Sequence, residues 1–150
     1  MMKLIVLALL LTQVFGKKPS SGKNDLKRRG KADKRVIMPG TLWCGMGNKA
    51  TSEDELGRLA DVDSCCRDHD HCDRKVNGFS KEYGYRNWRP FTVSDCDCDK
   101  KFYECLKNAK ENSKEATIVG KMFFNILSMP CLRFNTFGTT ATKGHSPSYK

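Results

Sequence analysis

Residues 61–75, DVDSCCRDHDHCDRK, and residues 95–110, DCDCDKKFYECLKNAK, carry the spacing that decides the fold. Neither stretch contains Gly or Pro, and both predict helices. Each residue of an α-helix advances about 100° around the axis. With Cys65 at zero, Cys72 falls near about −20° and His69 near about +40°, so the three share a face. Asp70 lies near about +140° and His71 near about −120°, on the other side. On the second stretch Cys98, Phe102 and Cys105 share a face, with Asp95 and Asp99 within about 100° of it.

In an antiparallel pair, facing residues have numbers that add to a constant. The pairs 65/105 and 72/98 both add to 170. Bridges Cys65–Cys105 and Cys72–Cys98 fit that register without strain, although eight cysteines permit 105 pairings. His69 then lies between two disulfides, where Asp99 can reach it. A solvated imidazole is the usual alternative for a lone His, but this face is the one the cysteines bury. His71, on the opposite face, and His145, in the C-terminal segment, read as inert.

A His held by a carboxylate is a general base near neutral pH, because the carboxylate fixes its tautomer and stabilises the imidazolium. No Gly-x-Ser-x-Gly motif supplies an activated serine. The cysteines are committed to bridges, so the remaining nucleophile is water. Asp70 is the natural metal carboxylate beside it, and calcium suits an extracellular site built of oxygens. One Asp is too few ligands, so backbone carbonyls must contribute. The loop Trp43-Cys44-Gly45-Met46-Gly47 can turn carbonyls inward because Gly45 and Gly47 tolerate dihedral angles closed to other residues. A glycine turn around a disulfide is the competing reading of the loop taken alone.

Outward from this centre, residues 1–16 read as a secretory signal: Lys3, the apolar run LIVLALLL (4–11), then Val14 and Gly16 before a cut. That run is far short of the roughly 20 residues of a membrane span. Residues 17–35, KKPSSGKNDLKRRGKADKR, hold nine basic and two acidic side chains and end in the dibasic pair Lys34-Arg35. They read as a disordered basic propeptide, the alternative being a permanent basic arm. Of the formal charge of +10, Lys3 supplies +1 and this segment +7, leaving only +2 for residues 36–150. Charge therefore gives no ground for a nucleic-acid partner once the arm is removed.

All eight cysteines lie behind the signal, which points to an oxidising compartment and a disulfide framework. No C-x-x-C pair is present, only adjacent Cys65-Cys66 and the C-x-C of Cys96 and Cys98, so structural zinc finds no support. Residues 77–94 alternate aromatics with polar residues and predict a β-wing with Gly84 near its turn. Residues 116–127, ATIVGKMFFNIL, predict a third helix or an apolar strand stopped by Pro130. The domain is expected over 36–150, with its core over 36–134 and a loose tail over 135–150.

The segments PGTLWCGMGN, DSCCRDHDHC and CDCDKKFYECL, with VGKMFFNIL, resemble the secreted phospholipases A2 of group III, found in bee, scorpion and venomous-lizard venoms. The resemblance covers residues 36–134. It implies a mainly α, disulfide-rich fold with two antiparallel helices, a calcium loop and a small β-wing. It implies calcium-dependent hydrolysis of the sn-2 ester of glycerophospholipids by a secreted, monomeric enzyme at a membrane surface, a venom component among its settings. By position, His69 matches the catalytic histidine and Asp99 its partner. Asp70 and the carbonyls of Trp43, Gly45 and Gly47 match the calcium ligands. The implied bridges are Cys44–Cys66, Cys65–Cys105, Cys72–Cys98 and Cys96–Cys131.

The chain departs from the family pattern in carrying Phe123 where relatives have Tyr. It also lacks the cysteines that relatives carry beyond the position of Cys131. A rival of another class is a toxin or receptor-binding module that keeps the scaffold without hydrolysis; its mark would be loss of His69, Asp70 or the glycine loop, and none is lost. A cationic membrane-disrupting carrier would rest only on residues 17–35. The apolar residues expected to rim the path to His69 are Ile37, Met38, Leu42, Met122 and Phe123.

Overall fold

The computed structural model describes residues 36–150, so the expected signal (1–16) and propeptide (17–35) lie outside the described residues. The elements run α1 (Ala60–Asp70), β1 (Lys75–Val76), β2 (Lys81–Glu82), β3 (Tyr85–Arg86), β4 (Val93–Ser94) and α2 (Cys96–Asn108). They continue with α3 (Ser113–Gly120), a π-helical run (Lys121–Ile126), β5 (Pro130–Phe134) and β6 (Ala141–His145). Three antiparallel two-stranded sheets pair β1 with β4, β2 with β3 and β5 with β6.

Helix α1 ends at Asp70, not at Lys75 as its sequence suggested. The N–H of His71 donates to Arg67 O and that of Cys72 to His69 O, which closes the last turn. Lys75 is then drawn into pairing with Ser94. Helix α2 matches its expected span closely. Asp95 caps it, accepting from Asp97 N at 3.0 Å, the usual service of an Asp at an N-cap. The two helices are joined by Cys65–Cys105 and Cys72–Cys98. Cys44–Cys66 and Cys96–Cys131 complete the four expected bridges.

The wing forms as expected. β2 and β3 meet through Tyr83 and Gly84, both at positive φ (51° and 73°), which a two-residue hairpin turn of this hand requires. Residues 116–127 settle as helix: α3 runs into the π run, where Leu127 N reaches back to Met122 O. The run presents both Phe123 and Phe124 to neighbouring rings, with Phe124 against Phe102, Tyr103 and Tyr149.

The tail is not loose. Residues 130–134 pair with 141–145 in full register, from Pro130 opposite His145 to Phe134 opposite Ala141. Asn135 ties the turn between them by accepting from Thr139 N and Thr140 N. Gly144 lies on the Cys96–Cys131 bridge, so close that a Cβ there would meet both sulfurs. Beyond β6, Tyr149 is buried against Phe124, and its N–H and carbonyl both bond Asn125. Composition misled because glycine contacts and one tyrosine hold the tail, with no run of apolar residues to mark it.

One buried cluster unites Trp43, Val62, Phe102, Leu106, Ala116, Phe124 and Tyr149 with three cysteines of the bridges. A second gathers Val76, Val93, Met129 and Leu132 behind the wing. Among the described residues, no helix is long and apolar enough to cross a membrane.

Candidate active site

His69 lies near the end of α1 with its side chain only 11% exposed, and Asp99 lies in the first turn of α2 at 1%. His69 Nε2 is 2.8 Å from Asp99 Oδ1. An ionised carboxylate only accepts, so beside it the neutral imidazole is the tautomer with the proton on Nε2 and the lone pair on Nδ1. Phe102 stacks on the imidazole at 4.5 Å between centroids and Phe123 meets it edge-on at 5.2 Å. The ring is therefore fixed in plane and largely shielded from bulk water. Phe123 offers no hydroxyl here, only an aromatic edge.

The second oxygen of Asp99 accepts from the Ser146 hydroxyl, brought in by the chain just past β6. Sequence reasoning missed this residue, because it sits in the segment whose composition suggested no structure.

The glycine loop is built on another carboxylate that the sequence did not single out. Asp63, fully buried in α1, accepts from Leu42 N (2.9 Å), Trp43 N (2.8 Å) and Gly57 N (2.8 Å). The indole of Trp43 donates to Glu55 O at 2.8 Å, and its ring lies 5.3 Å from that of His71. The loop is thereby set beside the C-terminal end of α1, where Asp70 is. Gly45 has φ +156° and Gly47 φ +74°, and a Cβ on Gly45 would run into the Val36 carbonyl. Only glycine fits at position 45.

Two features bear on whether calcium suits this place. The carbonyls of Leu42 and Cys44 accept from Lys49 N and Met38 N, which leaves those of Trp43, Gly45 and Gly47 as the candidate main-chain ligands of the loop. Burial pushes the Asp70 carboxyl up to about 6, against the opposing pull of His69, Lys75 and His71. Those nearby charges do not offset the burial. Lys75 donates to the Asp70 backbone carbonyl at 2.5 Å, not to the carboxylate. No group of three or more His, Cys, Asp or Glu side chains that could hold a metal ion occurs among the described residues. A cation here would draw on main-chain oxygens and one carboxylate, an all-oxygen set that suits calcium.

The five expected rim residues, Ile37, Met38, Leu42, Met122 and Phe123, are all half-buried. Met46 in the loop and Val36 beside it are exposed, and Met46 N donates to Val36 O.

A phospholipase A2 family model matches residues 37–135. Over 95 residues the chain is 48% identical to the phospholipase A2 isozymes PA3A/PA3B/PA5 of Heloderma suspectum, covering 63% of this chain and 65% of theirs. It is 44% identical over 115 residues to the acidic phospholipase A2 PA4 of the same species, covering 71% of this chain and 80% of that one. It is 47% identical over 94 residues to the human group 3 secretory phospholipase A2, covering 63% of this chain but 18% of that protein. The match thus spans a little under two thirds of the first relative and a small part of the human one.

Proposed function

The chain belongs to the phospholipase A2 family, and on that premise we propose that it is a secreted, calcium-dependent enzyme that hydrolyses the sn-2 ester of glycerophospholipids. Secretion would follow from residues 1–16 acting as a signal and residues 17–35 as a propeptide cut after Arg35. The enzyme would act as a monomer, its two bridged helices antiparallel, at a phospholipid surface.

In this reading His69 Nδ1 takes a proton from a water as that water attacks the sn-2 carbonyl. Asp99 holds the tautomer that leaves Nδ1 free and stabilises the imidazolium that forms. His69 then returns the proton to the glycerol oxygen as the acyl C–O bond breaks, releasing fatty acid and lysophospholipid. Phe102 and Phe123 limit the water that reaches the ring. Calcium, held by Asp70 and the carbonyls of Trp43, Gly45 and Gly47, would supply when bound the positive charge that polarises the ester carbonyl and neutralises the phosphate. The exposed pair Val36 and Met46 extends the apolar rim beside the loop.

The observation that carries the proposal is the part-buried 2.8 Å contact between His69 and Asp99, on two helices tied by Cys65–Cys105 and Cys72–Cys98. Fatty-acid release from phospholipid vesicles tests it, with calcium and with excess chelator, on the wild type and His69→Gln. Release should need calcium and fall about 10²-fold or more in the variant. Undiminished release under chelator, or near wild-type turnover by a folded His69→Gln protein, would overturn it.

A further inference from the structure

Asp99 is almost wholly buried, and its two oxygens meet different elements: Oδ1 meets His69 of α1, and Oδ2 meets the hydroxyl of Ser146. A carboxylate held through one oxygen can still turn about its terminal bond, because that torsion is broad and roughly two-fold. Donors on both oxygens fix its plane. An ionised carboxylate only accepts, so the single Ser146 proton must point at it. The donor is neutral, so it orients the carboxylate and leaves its charge to act on His69.

Ser146 is held on both sides. Before it, β6 pairs with β5, with Gly144 packed on the Cys96–Cys131 bridge. After it, Tyr149 N and O are both bonded to Asn125, and the Tyr149 ring stacks over Phe124. The C-terminal hairpin and the last residues thus form a strap that delivers one hydroxyl to the back of the His–Asp pair.

We infer that Ser146 is a positioning residue, whose hydroxyl locks the Asp99 carboxylate and through it the tautomer and plane of His69. This rests on the reading of His69 as the general base. The test compares Ser146→Thr with Ser146→Val, which share a shape and differ in the hydroxyl. Vesicle hydrolysis gives kcat and KM, and NMR of the His69 Nε2 proton reads the pair without any turnover. The Val variant should lose about three- to tenfold in kcat, the scale of one hydrogen bond, with KM unchanged. Its Nε2 proton resonance should move or broaden, and the Thr variant should restore both. Ser146→Ala, too small to crowd the site, carries the same expectation as Val should either larger residue lower the melting temperature. Equal kcat and equal Nε2 resonances in the Val, Ala and Thr variants would overturn the inference. A wild type that hydrolyses nothing, yet shows the Nε2 resonance difference, would uphold the contact and overturn the hydrolytic reading instead.

Discussion

Asp63 and Asp99 occupy the same place in their helices, the fourth residue of α1 and of α2, and both are buried, at 0% and 1% exposure. They do opposite work. Asp63 collects three backbone N–H groups from residues 42, 43 and 57. Those donors cannot change protonation state, so the carboxylate is a staple that shapes the glycine loop. Asp99 collects an imidazole and a hydroxyl, and the imidazole can gain and lose a proton. What surrounds a buried carboxylate, not its burial, decides whether it builds or reacts.

The largest effect should come from breaking the staple. Asp63→Ala leaves the buried Trp43 N–H and the part-buried Leu42 and Gly57 N–H groups without their acceptor, at about 1–3 kcal/mol each when water cannot replace it, so about 3–5 kcal/mol should be lost after partial relaxation. Urea unfolding measures it, and activity should fall because the loop detaches. A loss below about 1 kcal/mol would mean that the loop holds itself.

The second test sharpens the contrast from the other side. Asp99→Asn keeps the shape and can still accept from Nε2, but it cannot stabilise an imidazolium. Turnover should drop about 10²-fold or more while stability changes little. Large unfolding with little specific loss of turnover would make Asp99 a second staple.

The two carboxylates also mark how far the sequence can be read. Seven-residue spacing in Cys65/Cys72 and Cys98/Cys105 fixed two bridges, and with them the meeting of His69 and Asp99, because covalent constraints leave a periodic trace. Asp63 left none: α1 also holds Asp61, Asp68 and Asp70, and only a fold brings one of four onto three amides. Ser146 was hidden for a related reason. Along β6 the buried position is Gly144 and its neighbours are Lys143 and His145, so no apolar alternation announces a strand.

That makes Gly144 a way to disturb the Asp99 side from a distance. A Cβ at 144 would come within 2.5 Å of Cys96 Sγ, and a disulfide has little room to give. Gly144→Ala should cost about 1–3 kcal/mol, as overpacking does. Turnover should fall with it if Ser146 is displaced. An unchanged melting temperature would show that β6 can lift off the bridge freely.

Asp70 stands between the two cases: its carboxylate accepts no hydrogen bond among the described residues, and burial pushes it up to about 6. A group raised in the folded state favours folding most in its neutral form. Without calcium, its contribution is therefore present below the ordinary carboxylate value near 3.8 and is lost as pH rises through about 6. Bound calcium needs the ionised form and reverses that penalty, so its affinity must fall as protons compete for the same oxygen. The melting temperature of dialysed protein, with and without added calcium, should separate most at about pH 7–8 and converge toward about pH 5. Asp70→Asn should abolish the pH dependence of that gap, because no carboxylate remains to titrate. A calcium-induced rise that is the same from about pH 5 to 8 would place the ion elsewhere, and Asp70 would then be a half-buried acid that holds no cation.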